Sequence, residues 1–351
     1  MILVFAIAAV LWGIGMAMGG PHRARWTMIG ILMAAVMLGH LILPDGHPLR
    51  QATGGDLRLW LLILGFAALA YGYRFILRRL RERAHQAEAA PAQTGTFSET
   101  ELHRYARHMI MREIGGVGQK RLKEAKVLVV GAGGLGSPAL IYLAAAGVGS
   151  IGVIDDDVVD GTNLQRQVIH TDDRIGTAKV LSAAKAMTDL NPFIKVFPIQ
   201  SKLTRDNAES TIAPYDLVLD GTDNFETRYL VNATCVALKK PLISAAITQW
   251  EGQISLYDPA NGAPCYQCVF PEAPAQGLAP SCAVAGVAGP LPGVVGAMMA
   301  LEAVKETVGA GEGLRGRMMI YDGLYAETRV MKLARRADCP ICGLEHRGSE
   351  G

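Results

Sequence analysis

The sequence predicts an α/β fold, in which a mainly parallel sheet with helices on both faces follows three transmembrane helices. The first 77 residues contain three apolar runs without charge. From residue 126 onward, short apolar runs alternate with helical segments, and this alternation is typical of a parallel sheet covered by helices. The first of these runs, Lys126–Val130, leads directly into a glycine-rich turn. These features predict a membrane region followed by an open α/β domain.

The three apolar runs of the N-terminal region are predicted to cross a membrane. Met1–Gly20 and Thr27–Leu43 approach the length that a helix needs to span about 30 Å of hydrocarbon. Leu59–Tyr73 is shorter, but arginines at both its ends can extend toward the headgroups. Aromatic residues at the ends of the second and third runs resemble interfacial anchors: Trp26, Trp60, Tyr71 and Tyr73. Buried core helices and a signal peptide are the alternatives, but the first run lacks a positive start and a cleavage site.

Basic residues predict the orientation of this region. The first loop is basic, the second holds a single arginine, and five arginines follow the third run. The positive-inside rule therefore places the N-terminus outside and the remainder of the chain in the cytoplasm. We expect a transmembrane region at 1–78, a basic juxtamembrane segment with a flexible linker at 79–98, and the main domain at 99–346. The expected location is the inner (cytoplasmic) membrane, with the main domain facing the cytoplasm.

Charge and cysteine content narrow the function further. The net charge is +2, and without the N-terminal arginines the remaining domain is neutral to acidic, so nucleic acid is not an expected partner. All six cysteines lie after residue 234, in the part assigned to the reducing cytoplasm. Metal-binding or catalytic roles are therefore favoured over disulfides.

Further elements follow from local patterns. Five continuous apolar runs predict buried parallel strands: Lys126–Val130, Ser150–Ile154, Lys195–Ile199, Asp216–Leu219 and Pro241–Ala245. Two later runs, Gln253–Tyr257 and Met318–Asp322, predict antiparallel strands. Ser98 and Glu101 form a capping-box pattern, which predicts the start of a helix.

The glycine-rich turn at residues 131–136 is typical of a phosphate site. It reads Gly-x-Gly-x-x-Gly between the first strand and a helix that starts at Ser137, so backbone N–H groups can approach phosphate at a positive helix end. Asp155 follows 24 residues after Gly131, where a ribose-binding carboxylate is expected. Taken alone, this motif slightly favours NAD or FAD.

Three later residues favour a triphosphate instead. Arg166 and Lys179 have no use beside the pyrophosphate of a hydride-transfer cofactor, whereas they can neutralise charge as pyrophosphate leaves. Asp223 follows another strand and so lies at the carboxyl edge of the sheet, where ligands of open α/β folds bind. Such a carboxylate is suited to Mg²⁺. The sequence thus favours a site for Mg²⁺ and ATP.

Two Cys-x-x-Cys pairs predict a metal site. Cys265 with Cys268 and Cys339 with Cys342 can close a tetrahedral thiolate shell around Zn²⁺. A thioredoxin-like redox role is the weaker alternative, because neither pair opens a helix after a strand. We expect a structural zinc that clamps the C-terminal tail to the middle of the domain, far from the chemistry.

The motifs together resemble one family. The glycine turn, Asn163-Leu-Gln-Arg166-Gln, the later lysine, Thr-Asp-Asn at residues 222–224 and the opening Arg104-Tyr-Ala-Arg107-His are similar to the MoeB/ThiF/HesA family, relatives of ubiquitin-activating enzymes. The resemblance runs from about residue 99 to 343 and is nearest to the MoeB branch. It implies a Rossmann-like fold with a structural zinc site. The N-terminal apolar runs depart from the family pattern.

The resemblance implies a role for each motif residue. ATP phosphates would be contacted by Gly131, Gly133, Gly134, Asn163, Arg166 and Lys179. Asp155 would bind the ribose, and Asp223 would hold Mg²⁺. Cys282 lies in a stretch that matches the family's crossover loop, where it would take the activated carboxylate as a thioester, act in sulfur transfer, or be a free buried thiol.

A homodimer is also implied. The apolar stripe of the first domain helix is expected to pack against the protein's own sheet: Leu102, Tyr105, Met109 and Ile110. Arg107 lies about 140° round the helix from Leu102. A solvated arginine is one interpretation; the resemblance implies instead that Arg107 reaches the ATP phosphates of the neighbouring subunit.

The implied activity is ATP-dependent adenylylation of the C-terminal glycine of a ubiquitin-like sulfur carrier ending in Gly-Gly, with release of pyrophosphate. A carrier of the molybdopterin-synthase small-subunit type is the first choice, and a thiamine-type carrier the second. Two different functions compete with this one: a tRNA-modifying cyclising enzyme of the same fold, and a membrane-anchored scaffold with a vestigial nucleotide fold. We expect sulfur to come from a separate donor protein.

Overall fold

The computed structural model describes most of the chain, in the following ranges: 1–19, 21–44, 46–54, 56–88, 96–274 and 286–343. Residues 89–95 of the predicted linker, residues 344–346 of the predicted domain and Cys282 lie outside the described residues. The chain divides into two compact units, Met1–Ala92 and Gln93–Gly351.

The N-terminal unit is helical. Its helices are α1 (Ile2–Ala17), α2 (His22–Ile42), α3 (Pro48–Thr53) and α4 (Leu57–Glu88). They enclose a small core of Val4, Val36 and Trp60. The indole Nε1 of Trp60 donates to the carbonyl oxygen of Thr53 at 3.1 Å. Trp60 is fully buried, so its prediction as an interfacial anchor is wrong, whereas Trp26 is exposed.

Two stretches of helix in the described part are long and apolar enough to cross a membrane, judged by length and composition alone. They are Ala24–Ile42 and Pro48–Leu77. By this criterion, the described residues contain two candidate spanning helices, one fewer than the three predicted. The shortfall is at α1, whose 16 residues rise only about 24 Å, less than the hydrocarbon core. The third run, Leu59–Tyr73, was expected to be the shortest, but it lies within the 32-residue α4. This helix is long because the basic sequence after the run consists of good helix formers.

The second unit contains one eight-stranded sheet. Its strands are β1 (Lys126–Val130), β2 (Ser150–Ile154), β3 (Lys195–Ile199), β4 (Leu217–Asp220), β5 (Leu242–Ile247), β6 (Glu251–Tyr257), β7 (Arg317–Asp322) and β8 (Glu327–Lys332). The order across the sheet is β3-β2-β1-β4-β5-β6-β7-β8. The first five strands in this order are parallel, and the last three pair antiparallel. The predicted mixed sheet is confirmed, and only β8 was not predicted.

Helices cover both faces of this sheet. They are α5 (Glu99–Met109), α6 (Gly115–Glu124), α7 (Gly136–Ala146), α8 (Lys179–Leu190), α9 (Arg205–Ile212), α10 (Phe225–Ala237), α11 (Tyr266–Val269) and α12 (Pro290–Val308). One apolar cluster joins β1 and β2 to α7, α8 and α12, and a second joins β1 and β4 to α9 and α10. Because β2, β1 and β4 are parallel neighbours, their carboxyl ends lie at one edge of the sheet.

The first domain helix differs in part from its prediction. The capping box is present, since Glu101 N donates to Ser98 Oγ at 3.2 Å and Ser98 N donates to Glu101 Oε2 at 2.8 Å. Tyr105 is buried, but Leu102 and Ile110 are 47% and 75% exposed. The apolar stripe therefore does not pack as a whole against the protein's own sheet, because only Glu101 and Tyr105 of this helix are buried.

Candidate active site

The glycine loop follows β1 and turns sharply into α7. Gly131 has φ +94°, a left-handed conformation that favours glycine. A Cβ on Gly136 would come within 1.9 Å of the carbonyl oxygen of Gly131, so a side chain cannot be accommodated there. The loop backbone can therefore lie close to a phosphate at the start of α7.

The peptide group of Ala132 in this loop is held from two sides. Its N–H donates to Asp155 Oδ2 at 2.7 Å, and its carbonyl oxygen accepts from His170 Nε2 at 2.9 Å. His170 Nδ1 lies 2.9 Å from the hydroxyl of Ser182. Burial lowers the pKa of His170, which therefore stays neutral at physiological pH with its proton on Nε2. This residue was not predicted from the sequence, because a single histidine in a loop carries no motif.

Asp155 lies at the end of β2, as predicted. Besides the bond to Ala132, its Oδ1 accepts from the backbone N–H of Asp157 at 2.8 Å. Each carboxylate oxygen has a second acceptor position. The side chain is therefore fixed in place and can still accept a hydrogen bond from a ribose hydroxyl.

The two predicted cations of the site have different partners. Arg166 Nη2 donates to Asn163 Oδ1 at 2.6 Å. Lys179 is buried at the start of α8 and forms an ion pair with the exposed Asp157 at 2.7 Å. Asn163 itself is not among the described residues that line the cleft. Its side chain contacts Arg166 instead.

Asp223 lies directly before α10, whose N-cap Asn224 accepts from Thr227 N at 2.8 Å. Below it, a buried pair joins α10 to the sheet. Arg228 Nη1 lies 3.5 Å from Asp220 Oδ2, and Arg228 Nη2 donates to the carbonyl oxygen of Ala245 at 2.7 Å. Arg228 also donates to the carbonyl oxygen of Thr222. These bonds fix the loop that carries Asp223.

A cleft of about 970 Å³ brings the predicted residues together. Its lining includes Gly131, Gly133, Gly134, Asp155, Arg166, Lys179 and Asp223. Positive side chains and backbone N–H groups thus share the cleft with Asp223, an exposed carboxylate at the carboxyl edge of the sheet, and with three further exposed acids of the lining, Asp156, Asp157 and Glu272. This arrangement suits a nucleotide triphosphate with a divalent cation.

One predicted catalytic residue is placed away from the cleft. Arg107 is exposed on α5 and is not among the described residues that line the cavity of its own chain.

The four cysteines of the two pairs form one buried cluster. The Sγ atoms of Cys265 and Cys268 are 3.9 Å apart, those of Cys265 and Cys339 are 3.6 Å apart, and those of Cys268 and Cys342 are 3.3 Å apart. A tetrahedral site with Zn–S bonds of about 2.3 Å requires sulfur separations of about 3.8 Å. The donor set and its spacing therefore fit Zn²⁺.

The cluster is closer to the cleft than the sequence predicted. Tyr266, between Cys265 and Cys268, lines the cleft, as does Phe270. The chain turns from the first cysteine pair directly into the cleft wall, although none of the four cysteines is among the described residues that line it.

Comparison with known proteins agrees with this geometry. The ThiF family profile matches residues 105–341. The chain is 48% identical over 253 residues to the sulfur carrier protein adenylyltransferase of Thermus thermophilus, covering 71% of this chain and 93% of the relative. It is 47% identical to the SAMP-activating enzyme E1 of Haloferax volcanii, covering 71% and 92%.

A longer relative and solved structures extend the comparison. The adenylyltransferase and sulfurtransferase MOCS3 of Aedes aegypti is 46% identical over 70% of this chain, which spans 56% of the length of that relative. The crystal structure of E. coli MccB has a TM-score of 0.61 at 24% identity, covering 71% of this chain and 74% of MccB. At that identity the likeness supports the fold alone.

Proposed function

We propose that this chain, which belongs to the ThiF family, adenylylates the C-terminal glycine carboxylate of a ubiquitin-like sulfur-carrier protein with ATP. The chain is an adenylyltransferase by its similarity to enzymes so named. The observation that carries the proposal is the cleft itself, where the glycine loop, two cations and Asp223 converge. The names of the relatives support a sulfur carrier as the substrate.

The residues of the cleft suit attack of a carboxylate on the α-phosphorus of ATP. A bond forms between a carboxylate oxygen and this phosphorus, the bond to the bridging oxygen breaks, and pyrophosphate leaves. The carboxylate is already ionised at neutral pH, so no general base is needed. The loop N–H groups, Arg166 and Lys179 stabilise the charge that develops on the leaving group.

Asp223 would hold Mg²⁺, and this ion would further neutralise the charge of the phosphates. Asp155 binds the ribose and thereby sets the position of the α-phosphate. Asn163 orients Arg166 through the 2.6 Å bond between their side chains. The rate then depends on positioning and charge neutralisation.

A carrier of the molybdopterin-synthase small-subunit type is the substrate we propose. The test is a pull-down with each candidate carrier ending in Gly-Gly, followed by ATP–pyrophosphate exchange. We expect binding and exchange with this carrier. Exchange with a thiamine-type carrier alone would contradict the choice.

The cysteine cluster is proposed to hold one structural Zn²⁺. Burial raises the pKa of the Cys268 thiol to about 11, so a thiolate at this position needs a bound cation to be stable. The site would therefore contribute metal-binding free energy to folding.

Changing Cys268 or Cys342 to serine is expected to remove the metal and lower the melting temperature. Each kcal/mol of lost stability corresponds to a fall of about 2–4 °C in a domain of this size. Metal analysis and thermal melts measure the two effects. Cys235→Ser is the matched control, since Cys235 is buried in α10 outside the cluster. Wild type that is purified without chelator and contains no zinc would contradict the proposal.

A homodimer is proposed in which Arg107 completes the active site of the partner subunit. Arg107 is exposed, and so are the apolar side chains three and four residues after it, Ile110 at 75% and Met111 at 47%, and Val117 of the next helix at 70%. An apolar patch around a cation is suited to cover by a second subunit. A two-fold arrangement makes the exchange of Arg107 reciprocal.

The N-terminal unit is proposed to anchor the chain in the inner membrane with the second unit in the cytoplasm. Many of its large apolar side chains are exposed, among them Ile2, Phe66 and Leu69 at 88%, 69% and 73%. Such surfaces are stable in lipid rather than in water. The arginines in the second half of α4 follow its apolar part. They support a cytoplasmic location for the rest of the chain.

Reporter fusions test this topology. A reporter that is active only outside the cytoplasm should be active when fused near Gly54 and silent when fused after residue 85. The reason is that the positive-inside rule places the second loop outside and the basic segment inside. A reporter active only in the cytoplasm serves as the control and should give the reverse pattern. Activity of the first reporter after residue 85 would overturn the proposed orientation.

A further inference from the structure

The segment that carries the first cysteine pair contributes two side chains to the wall of the cleft. We call Cys265–Phe270 the knuckle. Within it, the ring centroids of Tyr266 and Phe270 are 4.8 Å apart, and both side chains line the cleft. Tyr229 of α10 packs edge-on against Tyr266 at 5.4 Å. The aromatic wall is therefore built on the backbone that carries two of the four thiols.

Two hydrogen bonds tie the knuckle to α10. The side-chain Oδ1 of Asn232 accepts from the backbone N–H of Tyr266 at 2.8 Å, and the hydroxyl of Tyr229 donates to the carbonyl oxygen of Phe270 at 2.9 Å. Asn232 is buried, and a buried donor or acceptor without a partner is costly. The knuckle and α10 therefore keep a fixed relative position.

The same helix determines where Asp223 lies. Asp223 directly precedes the N-cap of α10, and Arg228 ties the first turns of α10 to the ends of β4 and β5. The helix is thus held by two attachments, through Arg228 to the sheet and through Tyr229 and Asn232 to the knuckle. Only the second attachment depends on the cysteine cluster.

We infer that the four-cysteine cluster positions the active site in addition to stabilising the fold. With its metal bound, the cluster fixes the knuckle, and the knuckle holds α10 so that Asp223 stays at the cleft. Tyr229 and Asn232 are positioning residues in this arrangement. The inference rests on the proposed function, because it takes Asp223 as the Mg²⁺-binding carboxylate.

Binding of a non-hydrolysable ATP analogue to the full chain tests the inference by calorimetry, with and without Mg²⁺. Tyr229→Phe should weaken binding with Mg²⁺ by about 2- to 10-fold, the effect of one neutral hydrogen bond. Binding without Mg²⁺ should not change, because the glycine loop lies on β1 and α7. Thr234→Val is the matched control: it removes a hydroxyl bond within α10, to Leu230 O at 2.9 Å, and should change neither affinity.

Removal of zinc from the wild type with a chelator should reproduce the Mg²⁺-specific loss, and added zinc should reverse it. Equal loss of both affinities, or loss of neither, would overturn the inference that the cluster holds Asp223 in place. Asp223→Ala distinguishes failure of the inference from failure of the proposed function. If it abolishes the Mg²⁺ enhancement while Tyr229→Phe and zinc removal do not, the inference alone fails. If Asp223→Ala leaves the enhancement intact, the proposed function of Asp223 fails with it.

Discussion

Asp223→Ala is expected to lower carrier-dependent ATP–pyrophosphate exchange by about 10²- to 10³-fold. This is the size of effect seen when one stabiliser of transition-state charge is removed. Asp223 is exposed at the cleft and lies outside the apolar core, so its loss leaves no buried cavity. The melting temperature should therefore match that of the wild type. Incorporation of labelled pyrophosphate into ATP measures the effect.

Glu226→Ala is the matched control for this change. Glu226 is an exposed acid in the first turn of the same helix, and it is not among the described residues that line the cleft. The substitution removes the same negative charge as Asp223→Ala does, at a similar distance from the end of the helix. We expect near wild-type exchange for Glu226→Ala. Exchange by Asp223→Ala at a similar rate would reject the role proposed for Asp223.

Arg107→Ala and Asp223→Ala are expected to be inactive separately and to recover activity when they are co-expressed. If Arg107 completes the partner's site, a mixed dimer has one site with both defects and one with neither. Random pairing makes about half of the dimers mixed, so roughly a quarter of wild-type activity should return. Exchange by the unseparated mixture measures this recovery, and mixed dimers isolated with two different affinity tags should show about half of wild-type activity, because one of their two sites is intact.

Arg112→Ala provides the control for loss of an exposed arginine near the same helix. Arg112 lies just after α5 and forms an exposed ion pair with its neighbour Glu113 at 3.1 Å. Such a pair contributes little, so this variant should be active without a partner. Isolated mixed dimers of Arg107→Ala and Asp223→Ala that stay inactive would show that Arg107 acts within its own chain or not in the reaction.

The sheet could be predicted from the sequence wherever a strand is buried. β1, β2 and β4 are continuous apolar runs with mostly buried side chains, and their predicted bounds agree with the observed ones to within a residue. β8 was missed because every one of its residues is exposed. An edge strand of this kind, Glu-Thr-Arg-Val-Met-Lys, has no apolar pattern to distinguish it from a loop.

The cleft could be predicted where short motifs occupy the ends of parallel strands. Gly131, Asp155 and Asp223 come together because β2, β1 and β4 are neighbours whose carboxyl ends share one edge. His170 and Tyr266 could not be predicted in this way. Their positions depend on contacts between segments far apart in the chain, with Ala132 for one and with Asn232 for the other.

Transfer of label from ATP to the carrier tests the proposed adenylylation most directly. The full chain is incubated with Mg²⁺, a carrier ending in Gly-Gly, and ATP labelled in either the α- or the γ-phosphate. We predict that the α-label appears on the carrier and that the γ-label appears only in pyrophosphate. A carrier without its last glycine should acquire neither label. Transfer of the γ-label to the carrier, or no transfer of the α-label to any candidate carrier that binds, would contradict the proposed adenylylation.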